Sequence, residues 1–145
     1  MVDGKNPFLD FDVTKVMSEF RVPTLDVDAV VASQRKNIEA LTQANQLAVE
    51  GVQAVARRQV EIARQAMEEF SAMIRDLAQP VSPEDRLAKQ AEFSKQALEK
   101  GLTNARELTE MVAKANNEAF NVINKRLSEG LDEVRDYATK KRAAR

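Results

Sequence analysis

The chain has 145 residues, a formal net charge of −1 and 31% charged positions, enough for a single domain. Aromatics make up only 5%, too few and too scattered for a β-sandwich or barrel, whereas 21 Ala and frequent Gln, Glu, Lys and Leu favour helix. The absence of Cys, His and Trp excludes a Ser-His-Asp triad, a histidine base, a thiolate nucleophile, a disulfide and the usual zinc sites.

The N-terminal stretch Met1 to Phe20 carries four acidic residues, Asp3, Asp10, Asp12 and Glu19, and no apolar segment of the secretory kind, so no signal peptide is expected. Leu9, Val13, Val16, Met17 and Phe20 share one helical face, with Asp12, Lys15, Ser18 and Glu19 between them, and Phe8 and Phe11 add aromatic surface. The spacing predicts a short amphipathic helix, started by Asp10 or Asp12 and stopped at Arg21-Val22-Pro23. Alone it is too short to be stable in water. Two roles are open to it: insertion into a lipid or polymer surface through Phe8, Leu9, Phe11, Val13, Val16, Met17 and Phe20, or packing back on the rest of the chain.

Residues 26–139 read as two long helices, about 27–78 and 83–139, separated by the only prolines beyond Pro23, namely Pro80 and Pro83. In Gln79-Pro80-Val81-Ser82-Pro83-Glu84-Asp85, Ser82 suits a cap, Pro83 the first helical position, and Glu84 and Asp85 the positive end of the dipole. So short a connection makes the helices antiparallel neighbours. The expected fold is all-α: a long, coiled-coil-like antiparallel hairpin with a short N-terminal amphipathic helix.

Apolar residues recur in steps of three and four along both helices. The first shows Val31, Ile38, Leu41, Ala48, Val52, Val55, Ile62, Ala66 and Met73, interrupted by Gln34, Asn45 and Gln59. The second shows Leu87, Ala91, Leu98, Ala105, Leu108, Val112, Ala115, Ala119, Ile123, Leu127, Val134 and Ala138, interrupted by Ser94. These stripes are the expected seam and oligomer contact, with Ile38, Leu41, Val52, Val55, Ile62, Leu98, Leu108, Val112, Ile123 and Leu127 as its larger members. A fifty-residue helix is ~75 Å long, and a hairpin with one stripe per helix has no globular core. It is expected to gain order by forming a homo-oligomer or by lying on an apolar surface.

Charge is uneven. Residues 1–25 sum to −1, 26–79 to −2, 80–139 to −2, and 140–145 to +4 through Lys140, Lys141, Arg142 and Arg145. The basic tail fits a helix C-terminus, whose dipole favours cations, or an anionic surface. Glu61 with Arg64, Glu92 with Lys95 and Glu110 with Lys114 are helix-surface pairs rather than catalytic carboxylates. The glycines at 4, 51, 101 and 130 form neither a phosphate loop nor a dinucleotide fingerprint. No 18-residue apolar run occurs, so no membrane-spanning helix is expected. No enzyme activity, cofactor or metal is expected, and a slightly acidic body without aromatic stacking residues argues against nucleic acid as a partner.

Residues 33–69 contain Gln34-Arg35-Lys36-Asn37, Asn45-Gln46, Glu50-Gly51-Val52-Gln53 and Arg57-Arg58-Gln59-Val60-Glu61. In these the chain resembles the phasins, small proteins that coat polyhydroxyalkanoate storage granules in bacteria. Asn6-Pro7-Phe8-Leu9-Asp10-Phe11-Asp12 and Val22-Pro23 resemble the depolymerase-activating branch of that family. The resemblance covers most of the chain, best over 5–70. It implies a helical, often oligomeric, non-enzymatic protein on the granule surface in the cytoplasm, with a polymer depolymerase or synthase as partner. The residues alone leave two other readings open: a structural coiled-coil adaptor, and a peripheral protein of an intracellular vesicle such as a magnetosome membrane.

Overall fold

The computed structural model describes residues 26–144. The arm residues Phe8, Leu9, Phe11, Val13, Val16, Met17 and Phe20, and Arg145 of the tail, lie outside them. Two helices account for almost all of the described chain: α1, Val27–Leu77, and α2, Pro83–Ala143.

Each helix starts at a side-chain cap. The Ala29 N–H donates to Asp26 Oδ1 at 3.3 Å, while the Val30 N–H donates to the Asp26 carbonyl at 3.1 Å. At α2 the Asp85 N–H donates to Ser82 Oγ at 3.2 Å, with Pro83 in the first turn, where its missing N–H is not needed. Acidic Glu84 and Asp85 sit at that end, and basic Lys140, Lys141 and Arg142 in the last turn, matching the dipole at both ends. The second helix therefore runs on through the basic residues, past position 139. At the turn, Pro80 cannot continue α1, and the Ala78 and Gln79 N–H groups donate to Ile74 and Asp76 carbonyls.

Contacts divide the chain after Arg35 into two units, 1–35 and 36–145. Within the second, α1 and α2 pack antiparallel. The sequence separation of cross-helix partners falls from 89 (Asn37 with Arg126) through 49 (Arg58 with Glu107) and 31 (Glu69 with Lys100) to 13 (Asp76 with Lys89). Among the described residues only Ala44 and Arg126 are buried. Two helices meeting along one line leave most of each helix surface to solvent, so a core in the globular sense does not form.

Candidate functional site

The line where the helices meet mixes small, polar and large apolar side chains. On α1 the less exposed positions from Lys36 onward are Asn37, Ala40, Ala44, Leu47, Ala48, Gly51, Val55, Arg58, Ile62, Glu69, Met73 and Leu77. On α2 they are Lys89, Phe93, Asn104, Glu107, Leu108, Met111, Ala115, Ala119, Val122, Ile123, Arg126, Gly130 and Glu133. Both sets advance by threes and fours, as a helix–helix seam requires.

Two arginines cross that seam. Arg126, only 8% exposed, donates from Nε to Asn37 Oδ1 at 2.7 Å and from Nη1 and Nη2 to the Glu133 carboxylate at 3.2 and 3.1 Å. Glu133 in turn accepts from Lys36 Nζ at 2.8 Å. Arg58 donates from Nε and Nη2 to Glu107 at 2.8 and 2.9 Å, and from Nη1 to Glu61 at 3.1 Å. Hydrogen bonds to Glu107, then to Glu61, raise the Arg58 pKa above its ordinary value, so it stays charged at any working pH. Forked guanidinium–carboxylate pairs fix geometry as well as attraction: Arg58–Glu107 does so across the seam, while the Arg126–Glu133 fork lies within α2 and holds the guanidinium whose Nε reaches Asn37 on α1. Lys100 with Glu69 and Lys89 with Asp76 add ion pairs toward the turn.

The expected seam residues divide in two. Val55, Ile62, Leu108 and Ile123 are half-buried between the helices. Ile38, Leu41, Val52, Leu98, Val112 and Leu127 are exposed, Val52 by 69% and Leu98 by 65%. In the hairpin the place of five of them is taken by Asn37, Ala40, Gly51, Met111 and Arg126, the residues immediately before them, while Ala97, before Leu98, is exposed and lines an open groove near the turn. The reason is distance. A Cβ added to Gly51 would stand 2.3 Å from Ala115 Cβ, so the helices approach too closely there for large side chains. Of the interruptions expected in the seam, Asn45 and Gln59 are likewise exposed.

Most of the large exposed apolar residues from Lys36 onward follow a seam position by one, namely Ile38, Leu41, Val52, Phe70 and Ile74 on α1, and Val112, Phe120, Leu127, Leu131 and Val134 on α2. One residue is a turn of about 100° in the same hand on every helix. Because α1 and α2 run in opposite directions, that turn brings both stripes to the same side of the hairpin. The preceding residues confirm the geometry from the other side. Lys36, Glu39 and Gln43 line one groove with Asn121, Lys125 and Glu129, and Glu50 and Ala54 line another with Lys114 and Glu118. The hairpin thus has a charged side and an apolar side. None of the residues that follow a seam position from Asn37 to Glu133 is Asp, Glu, Lys or Arg. Val49, Val60 and Met67 on α1, and Leu87 and Leu102 on α2, are exposed as well.

Lys140, Lys141 and Arg142 are exposed in the last turn of α2. Among the described residues, no helix is long and apolar enough to cross a membrane, and no group of three or more carboxylates is placed to hold a metal ion. The seam residues that sequence periodicity passed over include Asn37, Gly51, Arg58, Glu107, Arg126 and Glu133. The signal for them was present as a run of small side chains, Ala40, Ala44 and Gly51, in the same three-and-four rhythm one residue out of phase.

A family model described as Phasin protein matches residues 28–127, covering all but the ends of both helices. No curated protein and no solved structure matches the chain.

Proposed function

This chain belongs to the phasin family, and we propose that it is a non-enzymatic coat protein of polyhydroxyalkanoate storage granules, polyhydroxybutyrate being the simplest such polymer. It would sit on the granule surface in the cytoplasm, stabilise the polymer–water boundary and regulate the access of a depolymerase or synthase. The observation that carries this reading is the large apolar side chains standing outside the hairpin, where a soluble two-helix protein would have placed them inside. A chain that exposes Ile38, Leu41, Val52, Phe70, Leu98, Val112 and Leu127 lowers its free energy by covering them. An insoluble apolar polymer offers that cover. In the free protein, self-association through the same side chains offers it too, so the unbound state is a homo-oligomer.

A fluorescent fusion imaged in cells with and without stored polymer tests the reading. Rings around granules in polymer-storing cells, and diffuse signal in cells without polymer, are the expected result. Diffuse signal in both, or signal on membranes in both, would sink it.

A further inference from the structure

We infer that the hairpin adsorbs closed, lying flat with both helices on the surface, and that its contact is an uncharged face fitted to a neutral polyester. This inference rests on the granule-coat reading. An amphipathic two-helix protein can expose apolar surface by separating its helices, or it can carry a second apolar face outside a seam that stays shut. The residues of this chain follow the second plan. Its seam mixes small, polar and apolar side chains and is crossed by hydrogen bonds from Arg126 to Asn37 and from Arg58 to Glu107. Opening it would break those cross-helix bonds and part Val55, Ile62, Leu108 and Ile123 from their neighbours across the seam, while the face outside is apolar already. A set of large ones already stands outside, on one side, with Ile38 level with Leu127 by the Asn37–Arg126 bond.

The composition of that face selects its partner. An anionic bilayer is met by Lys and Arg flanking an apolar stripe; here the face itself holds no charge, and the cations beside it, such as Arg64, Arg75 and Arg135, stand among the carboxylates Glu39, Glu50 and Asp132. What interrupts the apolar side chains is uncharged: Asn45 and Gln59 on α1, Asn116 on α2, all exposed. An ester carbonyl accepts hydrogen bonds and donates none, so carboxamide N–H groups on an apolar face match a polyester without desolvating a charge. An amorphous polymer also conforms to the gaps left by Ala56, Ala63 and Ala105, which a second folded chain would have to fill with matching knobs.

The test uses the full chain and protein-free polyhydroxybutyrate particles. The sequence has no cysteine, so Gln43→Cys with Asn121→Cys, both lining the charged groove, can be bridged by a short bis-maleimide to hold the helices together. The bridged protein should bind within about twofold of the unbridged one. Leu41→Asp with Leu127→Asp, and separately Val52→Asp with Val112→Asp, should each weaken binding at least tenfold with far-ultraviolet circular dichroism unchanged. Two independent pairs guard against one of them misfolding locally. Loss of binding on bridging alone would show that the helices must separate, overturning the closed hairpin while leaving the coat reading intact. If both Asp pairs bind like the parent, or only dissociate its oligomer, the face belongs elsewhere. Tighter binding to phosphatidylglycerol vesicles than to polymer would overturn the neutral-surface assignment. A parent protein that binds no polymer at all would bring down the coat reading and this inference together.

Discussion

Gly51 on α1 lies so close to Ala115 on α2 that a Cβ added to the glycine would stand 2.3 Å from the Cβ of the alanine. No real pair of carbons is that close, and neither atom belongs to a side chain able to swing away. The helix conformation itself would welcome alanine, by about 1 kcal/mol. Packing opposes it: overfilling a tight contact costs about 1–3 kcal/mol. Gly51→Ala should therefore lower the unfolding midpoint at fixed protein concentration, and adding Ala115→Gly should recover much of the loss. Gly101→Ala is the control, since nothing lies within 4 Å of its added Cβ, and should raise the midpoint. Equal gains at Gly51 and Gly101 would mean the helices do not approach as described.

The close approach also explains what the sequence disclosed and what it hid. Helix extent, the Ser82–Pro83 start and the antiparallel hairpin were legible because caps, prolines and spacing are local signals. The face was not. Ile38 and Asn37 are neighbours on the same helix, and a periodicity of threes and fours runs equally well through either. Hydrophobicity selects Ile38, whereas the distance between the helices selects Asn37 and its partner Arg126. That distance depends on which residue of α2 stands opposite, information that no single helix carries. The stripe drawn through Ile38, Leu41, Val52, Leu98, Val112 and Leu127 exists as an apolar face, but on the outside of the hairpin.

Arg126 should be the most sensitive polar residue of the seam. Truncation leaves Asn37 and the half-buried Glu133 without their guanidinium, and stranding partially buried polar partners costs about 1–3 kcal/mol. Arg126→Ala should destabilise the hairpin by about 2 kcal/mol, and Asn37→Ala by about 1 kcal/mol. The double variant should lose less than the sum, because the two residues share a bond. Additive losses in chemical denaturation would separate them.

Arm and hairpin should be distinguishable as anchors. In the arm, Val16 and Phe20 are four residues apart on the apolar stripe expected there. A carboxylate entering an apolar boundary unpaired costs enough that lifting the helix off is the cheaper outcome. Val16→Asp with Phe20→Asp should reduce the bound fraction on granules while leaving the helicity of the free protein intact. Parent-like binding would assign adsorption to the hairpin alone, and collapse of helicity would show the arm packed on the rest of the chain.

The basic tail should distinguish the two kinds of surface. Lys140, Lys141 and Arg142 stand in the last turn of α2, and the chain adds Arg145 beyond them. Val134 ends the apolar series six residues before Lys140, a rise of about 9 Å along the helix. Charges act over ~8 Å at physiological salt, so the tail contributes little where the apolar face meets a neutral polymer. On an anionic membrane each cation near the surface is worth about 1 kcal/mol. Deleting 140–145 should leave adsorption to polyhydroxybutyrate particles within about twofold and lower binding to phosphatidylglycerol vesicles by about tenfold or more. The vesicle effect should shrink as salt is raised, because screening removes the term the tail supplies. Equal large losses on both surfaces would mean that the tail holds α2 together through its last turn, and that its cations act on the helix dipole.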